Sequence, residues 1–150
     1  MDTRTDLIAE LFNVVGRFRR QLRRSTGRGF DATGLTQSQA EMLRLVGRQP
    51  SISVREAATE LGLVPNTAST LVSKLAADGL LIRTVDSDDR RVGRLRLTEP
   101  AQRIADASRA ARRVALSAVL DELDPGQLDS LERGLEVLAE MTRMLHERQP

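Results

Sequence analysis

The apolar pattern of this chain switches from helical to strand-like spacing at Gly79, and that change constrains the fold more than any other feature. Before it, three short stretches repeat at three- and four-residue steps, each with its own start signal. Thr36-Gln37-Ser38-Gln39 reads as a capping box ahead of Ala40, Leu43 and Val46, and residues 47–50 end that helix. Ser53-Val54-Arg55-Glu56 is a second box, ahead of Ala57, Ala58 and Leu61. Leu61-Gly62-Leu63 reads as a tight turn, and Pro65 sits where a first-turn proline loses no hydrogen bond. Ala68, Leu71, Val72 and Leu75 then share one side of a third helix, which Gly79 ends. Beyond Gly79, residues 80–85 and 92–97 are strand-like, the second alternating strictly between apolar residues and Arg or Gly. Asp86-Ser87-Asp88-Asp89-Arg90-Arg91 between them suits the tip of a β-hairpin.

Longer helices flank this centre. Residues 6–24 place Leu7, Leu11, Val14, Val15, Phe18 and Leu22 in a stripe about 100° wide. Beside it run Arg17, Arg19, Arg20, Arg23, Arg24 and Arg28, with no acid between Glu10 and Asp31. That run suits a solvated basic flank, a phosphate contact or an anion-binding role. Residues 25–29 read as a loop; their glycines follow no strand and lack a third glycine, so they are no dinucleotide fingerprint. After the hairpin, Thr98 can cap a helix through Ala101, Ile104, Ala107, Ala111, Val114, Ala118 and Leu120. Asp124-Pro125-Gly126-Gln127 starts the last helix, where Leu128, Leu131, Leu135, Leu138 and Leu145 form a seam that needs a partner helix. The expected fold class is mainly α (α+β): a winged helix-turn-helix with N- and C-terminal helices forming a dimerisation region. The expected division is a helical outer region, residues 1–30 and 100–150, and a winged helix-turn-helix region, residues 31–99, within one domain.

Composition removes whole classes of function. The 150 residues are 40% hydrophobic and 29% charged, the balance of an ordinary folded domain. No apolar run reaches the roughly 18 residues of a membrane span, and residues 2–6 are polar, so a cytoplasmic, nucleoid-associated protein is expected. With no cysteine and His146 as the only histidine, no thiol sensor, thiolate zinc site or histidine cluster is expected. No nucleophile motif or phosphate-cradling loop is visible, so neither enzyme activity nor a metal or other cofactor is expected. Trp and Tyr are absent, which leaves no series of stacking faces for single-stranded nucleic acid.

The net charge is only +2, but it is unevenly distributed. Residues 1–120 carry 20 basic and 13 acidic side chains, and residues 121–150 carry 3 and 8. A basic body suits a polyanionic partner. In the third short helix, the side away from the apolar stripe holds Asn66, Ser69, Thr70, Ser73 and Ala77, with Thr67 and Lys74 at its edges. Taken alone, this is equally a solvated face or a set of short groups for base edges and phosphates. Arg90, Arg91, Arg94 and Arg96 follow within one hairpin and favour double-stranded DNA. Asp86, Asp88 and Asp89 suit a role in fixing the loop through pairs with these arginines.

The segments Val54-Arg55-Glu56-Ala57-Ala58-Thr59-Glu60-Leu61-Gly62-Leu63, Leu75-Ala76-Ala77-Asp78-Gly79-Leu80-Leu81-Ile82-Arg83, Asp86-Ser87-Asp88-Asp89-Arg90-Arg91 and Leu95-Arg96-Leu97-Thr98 resemble the MarR (multiple-antibiotic-resistance regulator) family. The resemblance implies a homodimer whose two recognition helices enter successive major grooves of a pseudopalindrome while the wings reach the flanking minor grooves. It also implies transcriptional repression, often relieved by a small-molecule effector bound between the dimer region and the reading head. On this reading Asn66, Thr67, Ser69, Thr70, Ser73 and Lys74 contact DNA from the recognition helix, and Arg90, Arg91 and Arg94 contact it from the wing. Asp86 and Asp89 stabilise the wing, and Leu7, Leu11, Leu128, Leu131, Leu135 and Leu138 serve dimerisation. The chain departs from the family pattern at Val64, where Ser or Asp is usual, at Thr70, where many members have arginine, and at Ala101, which replaces glycine. These departures suggest an operator rich in adenine and thymine. The sequence leaves the effector, its pocket and the regulated genes open, and an architectural DNA protein of low specificity is the alternative.

Overall fold

The computed structural model describes residues 2–27 and 29–149, so Arg28 of the basic run lies outside the described residues. Its elements are α1 (Thr3–Thr26), a short 3-10 turn (Gly29–Thr33), α2 (Gln37–Arg48), α3 (Val54–Leu61), α4 (Pro65–Ala77), β1 (Leu81–Val85), β2 (Gly93–Leu97), α5 (Glu99–Leu120) and α6 (Pro125–Glu147). The chain divides into two compact units, residues 1–112 and 113–150.

The first unit is built around α2. Thr36 and Gln39 close the expected capping box, each side chain accepting from the other's backbone N–H. Ala40, Met42, Leu43, Leu45 and Val46 are all buried, so more than one side of α2 is covered. Val72 and Leu75 of α4, Ala57 of α3, Leu81 and Leu95 of the hairpin, Ala101 of α5 and Phe30 of the 3-10 turn complete the same core. Full burial of each large side chain contributes about 1.5–3 kcal/mol relative to exposure, so these few residues dominate the unit's stability.

Between α3 and α4, Gly62 adopts the left-handed conformation at φ 65°, and the Leu63 N–H returns to the Ala58 carbonyl. A residue with a β-carbon would be strained there. The hairpin is antiparallel in the register Leu81↔Leu97 through Val85↔Gly93. Its β2 edge gains a third, very short pairing. The Ser51 N–H donates to the Leu95 carbonyl, the Leu95 N–H donates to Ile52, and Ser53 bridges Arg94.

α1 extends beyond the expected 6–24 at both ends. Asp2 caps it by accepting from the Arg4 N–H. At the other end Ser25 and Thr26, expected in a loop, continue the helix because their hydroxyls donate to the carbonyls of Gln21 and Leu22. The chain leaves the helix at Gly27, with φ 81°. None of the described α1 residues is buried, and Leu7, Ile8, Phe12 and Phe18 are each more than half exposed.

In the second unit, Asp124 and Gln127 form the capping box that starts α6. Arg143 pairs with Glu140 and Glu147, one helical turn to either side. The neighbouring guanidinium holds the Glu140 carboxyl below its ordinary range, and the two acids raise Arg143. No described residue of α6 is buried. Among the described residues no helix is long and apolar enough to cross a membrane.

Candidate nucleic-acid interface

α4 is oriented by what it buries. Ala68, Val72 and Leu75 face the core, which leaves Asn66, Thr67, Thr70, Ser73 and Lys74 exposed on the opposite side and Ser69 half-buried at the flank. The helix carries no acid along its length. Its cap, Val64, offers no side-chain hydrogen bond and is itself 64% exposed, so the first-turn N–H groups have no side-chain cap. The Thr70 hydroxyl donates to the Asn66 carbonyl at 2.9 Å, which holds its rotamer. Lys74 Nζ lies 3.2 Å from Asp78 Oδ1, an exposed pair that leaves the ammonium available to other anions.

The hairpin tip is ordered by its acids. Asp86 Oδ1 accepts from the Asp88 N–H at 2.8 Å, while its Oδ2 lies 2.9 Å from Arg94 Nε. Arg94 also reaches Glu56 Oε1 of α3 at 3.6 Å and the Ser51 carbonyl at 3.4 Å. One guanidinium therefore joins the wing to α3 and to the turn after α2. Ser51 itself sits in the left-handed region at φ 71°, an uncommon conformation for a residue with a side chain. The Asp88 N–H bond, with the Arg94 contact second, holds the Asp86 carboxyl below its ordinary range. Asp89 accepts from both the side chain and the N–H of Arg91, and those bonds lower its carboxyl likewise. The Arg91 side chain is nevertheless 91% exposed, so it is oriented without being covered. Arg90 is exposed and pairs with no carboxylate among the described residues.

The residues expected on the recognition helix thus share one exposed face, apart from half-buried Ser69 at its flank, and Arg90 and Arg91 lie together at the hairpin tip. Arg94 is placed differently, half-buried at the wing base. Leu7, Leu128, Leu131 and Leu135 are exposed, while Leu11 and Leu138 are half-exposed.

Sequence reasoning missed two features. The first is Arg83, whose guanidinium crosses β2 where Gly93 has no side chain; a Cβ there would come within 2.6 Å of Arg83 Nε. The glycine in an otherwise regular strand was its signal. The second is a cavity of about 210 Å³ bounded by α1, the 3-10 turn, α2 and the first part of α5. Arg19, Arg23, Arg44, Arg48, Arg109 and Arg112 line it. Their spacing, four residues apart on α1 and α2 and three on α5, was the readable signal. Among the described residues no group of His, Cys, Asp and Glu is placed to hold a metal ion.

Residues 33–92 match the model of the MarR family. The fold is similar to that of FabT from Streptococcus pneumoniae in complex with DNA, at a TM-score of 0.72 and 19% identity, covering 94% of this chain and 96% of that one. A MarR family protein from Bacillus stearothermophilus gives 0.69 and 24%, covering 95% and 99%. PcaV from Streptomyces coelicolor, in complex with its natural ligand, gives 0.58 and 20%, covering 88% and 91%. No curated protein matches the chain significantly in sequence.

Proposed function

We propose that the chain is a DNA-binding transcriptional regulator of the MarR type, a reading supported by the match of residues 33–92 to that family's model. In this reading it acts in the cytoplasm, on the nucleoid, as a homodimeric repressor of a pseudopalindromic operator. Residues 1–30 and 100–150 form the dimerisation region around a reading region of 31–99. The observation that carries the reading is the acid-free exposed face of α4 in the same unit as a wing whose arginines are oriented by its own acids. An α-helix fits the major groove, and arginine suits the negative potential of a narrow minor groove.

Asn66 and Ser73 approach base edges, with Ser69 at the flank. The Thr70 methyl suits thymine, and Thr67 and Lys74 hold phosphates. Arg90 and Arg91 enter the minor groove. Arg94 keeps a place in the interface mainly by setting the wing angle, because Asp86 and Glu56 already engage its guanidinium. The cavity between α1, α2 and α5 is the proposed effector site, with occupancy altering DNA affinity. The named DNA complex of FabT and ligand complex of PcaV support both halves of this reading by likeness of fold.

The test is a mobility shift on the DNA flanking the gene, with random duplex as competitor. A repressor should bind its own site at least about 10³-fold more tightly than random DNA. A ratio near one assigns the chain to architectural DNA binding instead.

A further inference from the structure

The arginine-lined cavity has a composition that selects its ligand. Arg19 and Arg23 come from α1, Arg44 and Arg48 from α2, and Arg109 and Arg112 from α5, so each of three helices contributes a pair. Among the described lining residues there is one carboxylate, Asp31, and it lies 3.2 Å from Arg44 Nη1. That leaves a surplus of five positive charges around about 210 Å³. Guanidinium groups do not deprotonate, so the cluster cannot relieve its self-repulsion by losing protons. Five of the six arginines are exposed and partly screened by water, and an anion bound among them would offset the remaining repulsion.

We propose that this cavity binds a compact aliphatic multianion, an organic phosphate or a polycarboxylate. The inference takes the cavity to be the effector site proposed above and adds the chemical class of its ligand.

Three features of the wall support this class. Guanidinium forks match the paired oxygens of carboxylate and phosphate, and pairs on three separate helices call for at least two anionic groups on one ligand. A single carboxylate would leave most of the cluster uncompensated. The cavity is smaller than the roughly 300–1,000 Å³ usual for drug-sized ligands, which favours a compact molecule. The lining also lacks the polar variety needed to read a nucleobase or sugar. The Thr26 hydroxyl already donates to the Leu22 carbonyl, Phe30 is the only aromatic residue among the described lining residues, and Ser108 packs where a side chain at Gly29 would overlap it.

The test uses the intact protein without DNA, so that its outcome is independent of operator binding. Thermal unfolding and calorimetric titration are run with sodium pyrophosphate, citrate, benzoate and sodium chloride at matched ionic strength. Millimolar pyrophosphate or citrate should raise Tm by about 4 °C or more, while benzoate and chloride should shift it by less than about 1 °C. Preference for pyrophosphate assigns the ligand to phosphate esters, and preference for citrate to polycarboxylates. Arg23→Gln combined with Arg109→Gln should weaken the preferred anion at least about tenfold. Circular dichroism of the variant confirms that it is folded, and the wild-type titration stands without it. The proposal is overturned if benzoate binds as tightly as the multianions, or if these bind no better than chloride. Multianion binding that survives in the double variant overturns it too, by placing the site on another basic surface. Loss of operator binding with multianion binding intact would instead count against the regulator reading alone.

Discussion

Arg94 and Arg91 lie three residues apart in one hairpin, yet their surroundings assign them different work. Arg94 is held by Asp86, Glu56 and the Ser51 carbonyl, whereas Arg91 has only Asp89 beside it and remains almost fully exposed. Arg91→Ala should therefore weaken binding on all duplexes and make the slope of log affinity against log salt shallower by about 0.9, the signature of one lost phosphate contact. Asp86→Asn separates placement from charge. It removes a negative charge from the loop proposed to approach DNA, so Coulomb attraction alone would strengthen binding. If Asp86 acts by fixing Arg94, operator affinity should instead fall, and backbone amides of residues 86–92 should exchange faster with solvent. The pH dependence has a definite sign. Asp86 and Asp89 are held below the ordinary aspartate value of 3.8, so their contribution is complete above that value and is lost as pH falls through the lower folded-state values. Carboxyl carbon shifts recorded by NMR should stay flat from neutral pH down to the ordinary aspartate range and move only below it. Which polar residues share the outer side of α4, and which arginines sit at the hairpin tip, was thus legible in the sequence. The partner each arginine takes was not, because Glu56 and Arg94 lie 38 positions apart and only the β2 pairing with the turn after α2 brings them together.

Element boundaries were readable wherever a cap uses a side chain near in sequence. Thr36 with Gln39 and Asp124 with Gln127 form reciprocal bonds across three residues, and the helices begin where those residues require. The end of α1 was misread for a local reason of the opposite kind: Ser25 and Thr26 look like loop residues, but their hydroxyls bond back to carbonyls four residues earlier and prolong the helix. Ser53 with Glu56 was half right. Ser53 accepts from the Glu56 N–H, while the Glu56 carboxylate faces Arg94 across the wing base. The start of α4 offers a direct test of capping energetics. Val64 has cap geometry at φ −69° and ψ 149° but no oxygen to offer. Val64→Ser should stabilise the protein by about 1 kcal/mol in urea unfolding. No gain would mean that another group already satisfies the first-turn N–H donors. The arginine-lined cavity was half readable at this scale: each helix shows its pair of arginines, but nothing local in the sequence says that the three pairs line one cavity.

At the scale of the whole molecule, apolar surface is unevenly used. The first unit encloses its core around α2, while α1 presents Leu7, Ile8, Phe12 and Phe18, and α6 presents Leu131, Leu135 and Leu145, all at 42% exposure or more. Scattered apolar residues on a surface need no explanation, but helices that repeat them at three- and four-residue steps do. A second copy of the chain is the economical cover, because self-complementary helices placed about a two-fold axis bury the same face twice. Two-fold symmetry would also give two α4 helices the spacing of a palindromic site, about one helical turn of DNA between half-site centres. Dimerisation and specificity are then one property. Leu131→Glu with Leu135→Glu places carboxylates on the α6 seam without touching the α2 core, so the reading unit should stay folded. Sedimentation should show the wild type as a dimer at micromolar concentration and the variant as a monomer. The monomer should lose most of its preference for a full palindrome over a half-site while keeping weak, salt-sensitive binding to any duplex. A variant that stays dimeric would locate the interface elsewhere. A monomer that still distinguishes full from half sites would show that one copy reads the operator alone.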